Sequence, residues 1–241
     1  MQLFKSLAKC TYKYNDRLYL KLVQADSNNG KLRLTSTNGH CLVSYTFKKF
    51  DNDKYYYVPN SVVKELANAD KFKFKNGKLN EFKLIEDGES IKVCDNKVTL
   101  GSYKNQKAQE HFPNIDIVIP TYSEFRFKLN RRKLAEAIKN EEHVQLKFIG
   151  SALKVFSAKH KPKLHKFVVG KNPKASIKLE VLNNEFNDML YFDADFLRTV
   201  LNFTYNDIEV AFNNRVSAFC ISYEDEKIAV KNLVMPMFNG G

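Results

Sequence analysis

The 241-residue chain has no tryptophan and four cysteines, and it is short of acid: 27 Asp and Glu stand against 39 Lys and Arg. No run of 18 or more apolar residues occurs, so no membrane-spanning helix is expected. The opening Met1-Gln2-Leu3-Phe4-Lys5 lacks the long apolar stretch and small-residue cleavage site of a secretory leader, so none is expected either. Cys10, Cys41, Cys94 and Cys220 lie far apart without a CxxC pair, which predicts reduced, mostly buried thiols in a cytosol. In that compartment the sequon Asn202-Phe203-Thr204 carries no glycan.

The motifs of catalysis are missing too. There is no GxxxxGK[ST] phosphate loop, no GxGxxG after a strand and no GxSxG elbow. His160 and His165 are off the i, i+4 spacing of a helical metal pair. Asp193 and Asp195 could be metal carboxylates, but Asp193 falls where a helix cap belongs, and the cap is the favoured reading. His40 and Cys41 are neighbours on a strand, point to opposite faces and make no dyad. The expectation is therefore a protein that is not an enzyme and needs neither metal nor cofactor.

What is present is charge and pattern. The net charge of +12 suits a polyanion, nucleic acid first and an acidic membrane second, although an Asn- and Lys-rich coding bias would also raise it. The 19 Phe and 12 Tyr are enough to build cores. Leu3, Leu7, Cys10 and Tyr14 step by three and four along a first helix, with Lys5, Lys9 and Lys13 on another face. A second helix follows Pro59-Asn60-Ser61 and carries Lys64. A third runs from Arg131 to about Asn140, capped by Asn130, with Arg132, Lys133 and Lys139. A fourth spans about Asp193 to Leu201, with Arg198. Strand signals fill the rest: Leu18, Leu20 and Leu22; Leu32 and Leu34 after the turn Asn28-Asn29-Gly30; Cys41 to Phe47; Phe72 and Phe74 before Asn76-Gly77; Phe82 and Leu84. Short strands at Ile91-Lys92-Val93 and Val98-Thr99-Leu100 follow, and in the second half strand signals lie around 125–129, 144–148, 153–156, 167–169, 177–179, 208–212, 216–221 and 228–230.

The pattern repeats. Asp116-Ile117-Val118-Ile119-Pro120 returns as Asn232-Leu233-Val234-Met235-Pro236, and Lys31-Leu32-Arg33-Leu34-Thr35-Ser36 returns as Ala152-Leu153-Lys154-Val155-Phe156-Ser157. Together with a recurring helix–strand–turn–strand unit, this predicts two copies of one α+β domain, residues 1–120 and 121–241, each with two helices and many antiparallel strands.

Three segments carry a resemblance: Thr37-Asn38-Gly39-His40-Cys41-Leu42, Phe112-Pro113-Asn114-Ile115-Asp116-Ile117-Val118-Ile119-Pro120, and Leu233-Val234-Met235-Pro236-Met237. They are similar to the T-D-G-H-R-L, F-P-D-x-x-x-V-[IL]-P and closing [VI]-[VI]-M-P-M-R-L motifs of the bacterial DNA sliding clamp, the β subunit of the replicative polymerase. Asn130-Arg131-Arg132-Lys133-Leu134 resembles the N-R-x-x-L opening of a clamp helix. The likeness is to the second and third of that family's three domains. Cys41 stands where the family has Arg, Asp193 where it has Asn and Phe196 where it has Tyr, and the tail Phe238-Asn239-Gly240-Gly241 replaces Arg-Leu.

The resemblance implies clamp domains forming part of a ring, helices lining a hole and sheets outside. A ring of six such domains needs three two-domain chains, a homotrimer of the kind found in eukaryotes, archaea and some phages. It would encircle double-stranded DNA without reading sequence, with Lys5, Lys9, Lys13, Lys64, Arg131, Arg132, Lys139 and Arg198 as candidates for the DNA-facing side. The family also carries a pocket between its second and third domains that takes a linear peptide from polymerase, clamp loader or repair proteins. Its matching positions are Leu20, Thr37, Gly39, His40 and Leu42; Pro113 and Val118; Phe196, Val216 and Ala218; and Val234, Met235, Pro236 and Met237. Met, Val and Pro make an adaptable apolar slot. Three alternatives stay open on the sequence: a clamp-like decoy that binds such peptides without a ring, a nuclease, and a single-strand binding module using Tyr55-Tyr56-Tyr57. The composition suits an AT-rich replicon (phage, mobile element or organelle), with the protein in the host cytoplasm if phage-encoded.

Overall fold

The apolar steps at the start of the chain close into helix α1 (Gln2–Lys9), which buries Phe4 and Leu7, with Cys10 just beyond it, and leaves Lys5 and Lys9 exposed. The computed structural model describes residues 2–11, 17–48, 55–68, 82–87, 90–95, 98–104, 112–161 and 166–237. The chain divides into two units, Met1–Asn114 with Glu224–Val230, and Ile115–Tyr223 with Lys231–Gly241. Both are α+β with antiparallel sheets.

In the first unit, α1 packs on helix α2 (Asn60–Asn68), whose Val62, Val63 and Ala67 are buried while Lys64 is exposed. The pair covers antiparallel strands β1 (Leu22–Asn28), β2 (Lys31–Thr37), β3 (Cys41–Phe47) and β4 (Tyr55–Pro59), ordered β4-β1-β2-β3. Leu32 and Leu34 enter the core, and Ser36 on the same face donates its hydroxyl to the Leu7 carbonyl at 2.9 Å, tying α1 to β2. Asn29 and Gly30 both take positive φ, 52° and 69°, which a two-residue hairpin loop requires. The expected strand at Leu18 to Leu22 is corrected: Leu18–Lys21 form a single 3-10 turn, and the strand starts only at Leu22. The 55–57 tyrosines belong to β4. Strands β5 (Phe82–Asp87), β6 (Ser90–Asp95) and β7 (Val98–Lys104) form a separate antiparallel sheet. The hairpin expected at Phe72 to Asn76-Gly77 lies outside the described residues.

The second unit opens with one-turn helix α3 (Ile115–Val118). Strand β8 (Phe125–Asn130) leads into helix α4 (Arg131–Ala137), where Asn130 accepts the Lys133 N–H at 3.1 Å as its cap. The helix stops at Ala137, short of the expected Asn140. Strands β9 (His143–Ile149), β10 (Ala152–Lys161), β11 (Lys166–Val169), β12 (Ala175–Lys178), β13 (Glu180–Val181) and β14 (Met189–Asp193) follow, then helix α5 (Ala194–Val200) and strands β15 (Asp207–Phe212) and β16 (Phe219–Glu224); β17 (Ile228–Val234) has its first three residues in the first unit and the rest in the second. Two sheets result: β13-β8-β15-β16, and β11-β10-β9-β14 with β12 on β10. Phe127, Phe148, Phe186 and Phe212 meet in an aromatic core. Strand β14 is absent from the strands that the pattern predicts, and the strand expected at Val216 begins only at Phe219.

Candidate DNA-facing helices and peptide-docking residues

In the first unit Lys5, Lys9 and Lys64 are exposed on the helix pair and have no ion pair among the described residues. Their common feature is the spacing that places apolar neighbours inward and lysines outward. Lys13 lies outside the described residues.

The second unit uses its arginines differently. Arg131, at the start of α4, donates Nε to the Tyr205 carbonyl at 2.6 Å and Nη1 to the Leu201 carbonyl at 2.9 Å, just past the end of α5. Arg198, in the last turn of α5, donates Nη1 to the carbonyls of Ile138 at 2.9 Å and Glu141 at 2.7 Å, just past the end of α4. Each helix thus lends a guanidinium to carbonyls at the other's C-terminus, where the helix dipole favours a cation. Arg131 also lies 5.4 Å from the Phe203 ring centre, and burial, then the charge of Arg132, pull its pKa below the ordinary value. The donors of Arg131 and Arg198 expected to meet DNA are engaged by carbonyls. Arg132 pairs with Glu136 at 2.9 Å, and Lys139 is exposed. Lys133, outside the expected DNA-facing set, is exposed on α4 as well.

Asp193 settles the carboxylate question. Its Oδ1 accepts the N–H groups of Asp195 at 2.8 Å and Phe196 at 3.2 Å, the geometry of a helix N-cap. Among the described residues no three His, Cys, Asp or Glu are placed to hold a metal ion.

Residues of the expected peptide site fall into two kinds. In the first unit the β2–β3 turn is held by its own polar groups. Asn38 Oδ1 accepts the N–H of His40 and of Cys41 at 2.9 Å each, Thr37 Oγ1 donates to the Cys41 carbonyl at 2.7 Å, and Gly39 has φ 88°. The turn exposes Gly39 and His40 and buries Thr37. A Cβ at Gly39 would sit 3.9 Å from the guanidinium of Arg17, a neighbour that no motif marks. Leu20 and Leu42 are core residues, and Pro113 is half-buried.

In the second unit Val234 is also core. Val118, Val216 and Met235 are exposed, and Phe196, Ala218, Pro236 and Met237 are half-buried. Val216 is 60% exposed because it rides a turn: Asn214 Oδ1 accepts the N–H of Val216 and Ser217, and Ser217 Oγ accepts those of Asn213 and Asn214. Asn213 in turn accepts the Glu124 N–H at 2.8 Å, bringing this turn to the segment that holds exposed Tyr122. Met237 donates its N–H to the Tyr191 carbonyl at 2.7 Å and packs against Ala158, Phe167 and Tyr191. Ile117, 80% exposed beside Val118, is a further surface residue outside the expected set; an apolar residue stranded in solvent on one helical turn has no signature in periodicity.

No protein-family model and no curated protein sequence matches the chain. Solved structures do. The DNA polymerase sliding clamp from Pseudomonas aeruginosa aligns at 18% identity over 98% of this chain and 64% of its own, with a TM-score of 0.75. The fold is the sliding-clamp fold. The clamp from Bacillus subtilis aligns at 16% identity over 99% of this chain and 62% of its own, TM-score 0.74. The Helicobacter pylori beta clamp bound to DNA ligase peptide aligns at 19% identity over 98% and 62%, TM-score 0.70. The chain spans under two-thirds of these clamps' length, the extent of two of three clamp domains. On the clamp fold, the motif segments 37–42, 112–120 and 233–237 fall at the β2–β3 turn, around α3 and at the end of β17.

Proposed function

We propose that this chain is a DNA sliding clamp, a non-enzymatic processivity factor that encircles duplex DNA as a homotrimer and tethers a polymerase, with a clamp loader as a further partner. The observation that carries the reading is the clamp fold along nearly the whole chain. The net charge of +12 and the exposed lysines of α1 and α2 support it, because a sliding ring needs weak contacts that do not read bases. Two domains per chain call for three chains where a six-domain ring is to close.

The Helicobacter pylori clamp was solved with a DNA ligase peptide, and we assign peptide docking to this chain on that analogy. By that analogy the candidates to meet such a segment are the exposed Gly39 and His40 of the first unit and the exposed Val216 and Met235 of the second, while Leu20 and Leu42 lie in the core of the first unit and Val234 in that of the second. A Leu and a Phe burying roughly 200 Å² would gain about 5 kcal/mol before ordering costs.

The test is retention on DNA. Protein bound to a nicked circular plasmid is washed in salt high enough to strip electrostatic contacts, then the circle is cut. Retention on the circle and loss after cutting is the expected result. Equal loss from both forms, with binding still present at low salt, rejects encirclement.

A further inference from the structure

We propose that Cys10 and Cys41 form a dithiol modification site, which an oxidant of the peroxide class converts to a disulfide that staples α1 to β3. The two residues are 31 apart in sequence and belong to different elements, yet their sulfurs lie 3.0 Å apart. Both are free thiols and almost fully enclosed, Cys10 at 0% and Cys41 at 3% exposure. Cys10 Sγ is aimed at the strand, since it also donates to the Cys41 carbonyl at 3.2 Å.

The backbone on each side is held. The Cys10 N–H donates to the Ser6 carbonyl at 2.9 Å, the Cys41 N–H to Asn38 Oδ1 at 2.9 Å, and Ser36 binds the Leu7 carbonyl at 2.9 Å. The sulfurs need to close by only about 1 Å to reach a bond of about 2.05 Å. Cys220, also free and buried, belongs to the other unit and has no sulfur neighbour among the described residues. Among the described side chains Cys10 and Cys41 are thus the pair with sulfurs within reach of each other, and the proposal does not rest on the ring.

The chemistry balances with peroxide as the named co-reactant. One thiolate attacks the peroxide O–O bond, giving a sulfenic acid and one water. The second sulfur displaces the sulfenic oxygen as another water and closes the S–S bond. The two sulfurs together lose two electrons, and hydrogen peroxide is reduced to two waters. Burial first, then the bond to and charge of Cys41, hold the Cys10 thiol well above its ordinary pKa. Cys10 is therefore protonated and slow to react near neutrality, and oxidation speeds up as pH rises or as α1 opens from the sheet. Because α1 carries Lys5 and Lys9 and β3 follows the Thr37–His40 turn, the staple would lock these two surfaces of the first unit into one body.

The experiment uses the whole chain and hydrogen peroxide at pH 8.5, followed by alkylation without reduction, digestion and mass spectrometry. The expected product is a Cys10–Cys41 linked peptide pair, about 2 Da lighter than the two reduced peptides together, with Cys220 still alkylated. The melting temperature should rise by roughly 10 °C, return on dithiothreitol treatment and stay unchanged in Cys41→Ser. Recovery of Cys10 and Cys41 as separate alkylated or over-oxidised peptides overturns the proposal, as does a link that leaves the melting temperature where it was. The mapping on the unmutated chain decides the point even if Cys41→Ser fails to fold.

Discussion

Arg198 holds the carbonyls of Ile138 and Glu141, and Arg131 those of Leu201 and Tyr205, so neither guanidinium is a spare cation. Arg198→Ala should destabilise the chain by about 2 kcal/mol, because two buried-side acceptors lose a charged donor; chemical denaturation reads this, and a loss below about 0.5 kcal/mol would contradict the reciprocal clamp. Glu141 offers a second residue-scale check. A hydrogen bond from Ser157, then Lys174 at 3.0 Å, holds its carboxyl below the ordinary value against the opposing effect of burial. A depressed carboxyl stabilises the fold above its unfolded pKa, and that stability is lost as pH falls through the folded value. Stability should therefore fall more steeply below about pH 4.3 in the native chain than in Glu141→Gln. Parallel slopes in acid titrations of the two proteins would remove Glu141 from the account.

At the scale of elements, much was legible where a local rule acts alone. Asn130 and Asp193 are caps because a short acceptor before an apolar-periodic run satisfies free N–H groups, and Asn29-Gly30 turns because both positions need positive φ. The rule failed where competing side-chain bonds or distant contacts decide. Val216-Ser217-Ala218-Phe219 looks like a strand by composition, but Asn214 and Ser217 bind the local N–H groups and hold a turn that lifts Val216 into solvent. Leu18 and Leu20 alternate like a strand, yet the backbone coils once before β1. The arginine exchange between α4 and α5, and the meeting of Cys10 with Cys41, join residues too distant for any periodicity to mark. The lysines of α1 and α2 were legible because a helix sorts apolar from charged residues by angle. Reversing Lys5, Lys9 and Lys64 to Glu together should weaken DNA binding. Its dependence on salt should flatten by about one unit of log–log slope for each phosphate no longer neutralised. Arg198→Lys, whose side chain points at carbonyls, should leave that slope alone. A salt titration that moves equally for both variants would displace α1 and α2 as the DNA-facing elements.

For the whole molecule, the question is what two clamp-like domains with a charge of +12 do together. Docking and encirclement separate by mutation. Met235→Ala with Met237→Ala should abolish binding of a polymerase-tail peptide, read by calorimetry, while leaving DNA binding intact; undiminished peptide affinity would reject the site. The ring is the claim on which the rest turns, and electron microscopy of the purified chain at micromolar concentration tests it most directly. The account predicts an annulus of three chains with an opening wide enough for a DNA duplex; single-chain particles without an opening would contradict it.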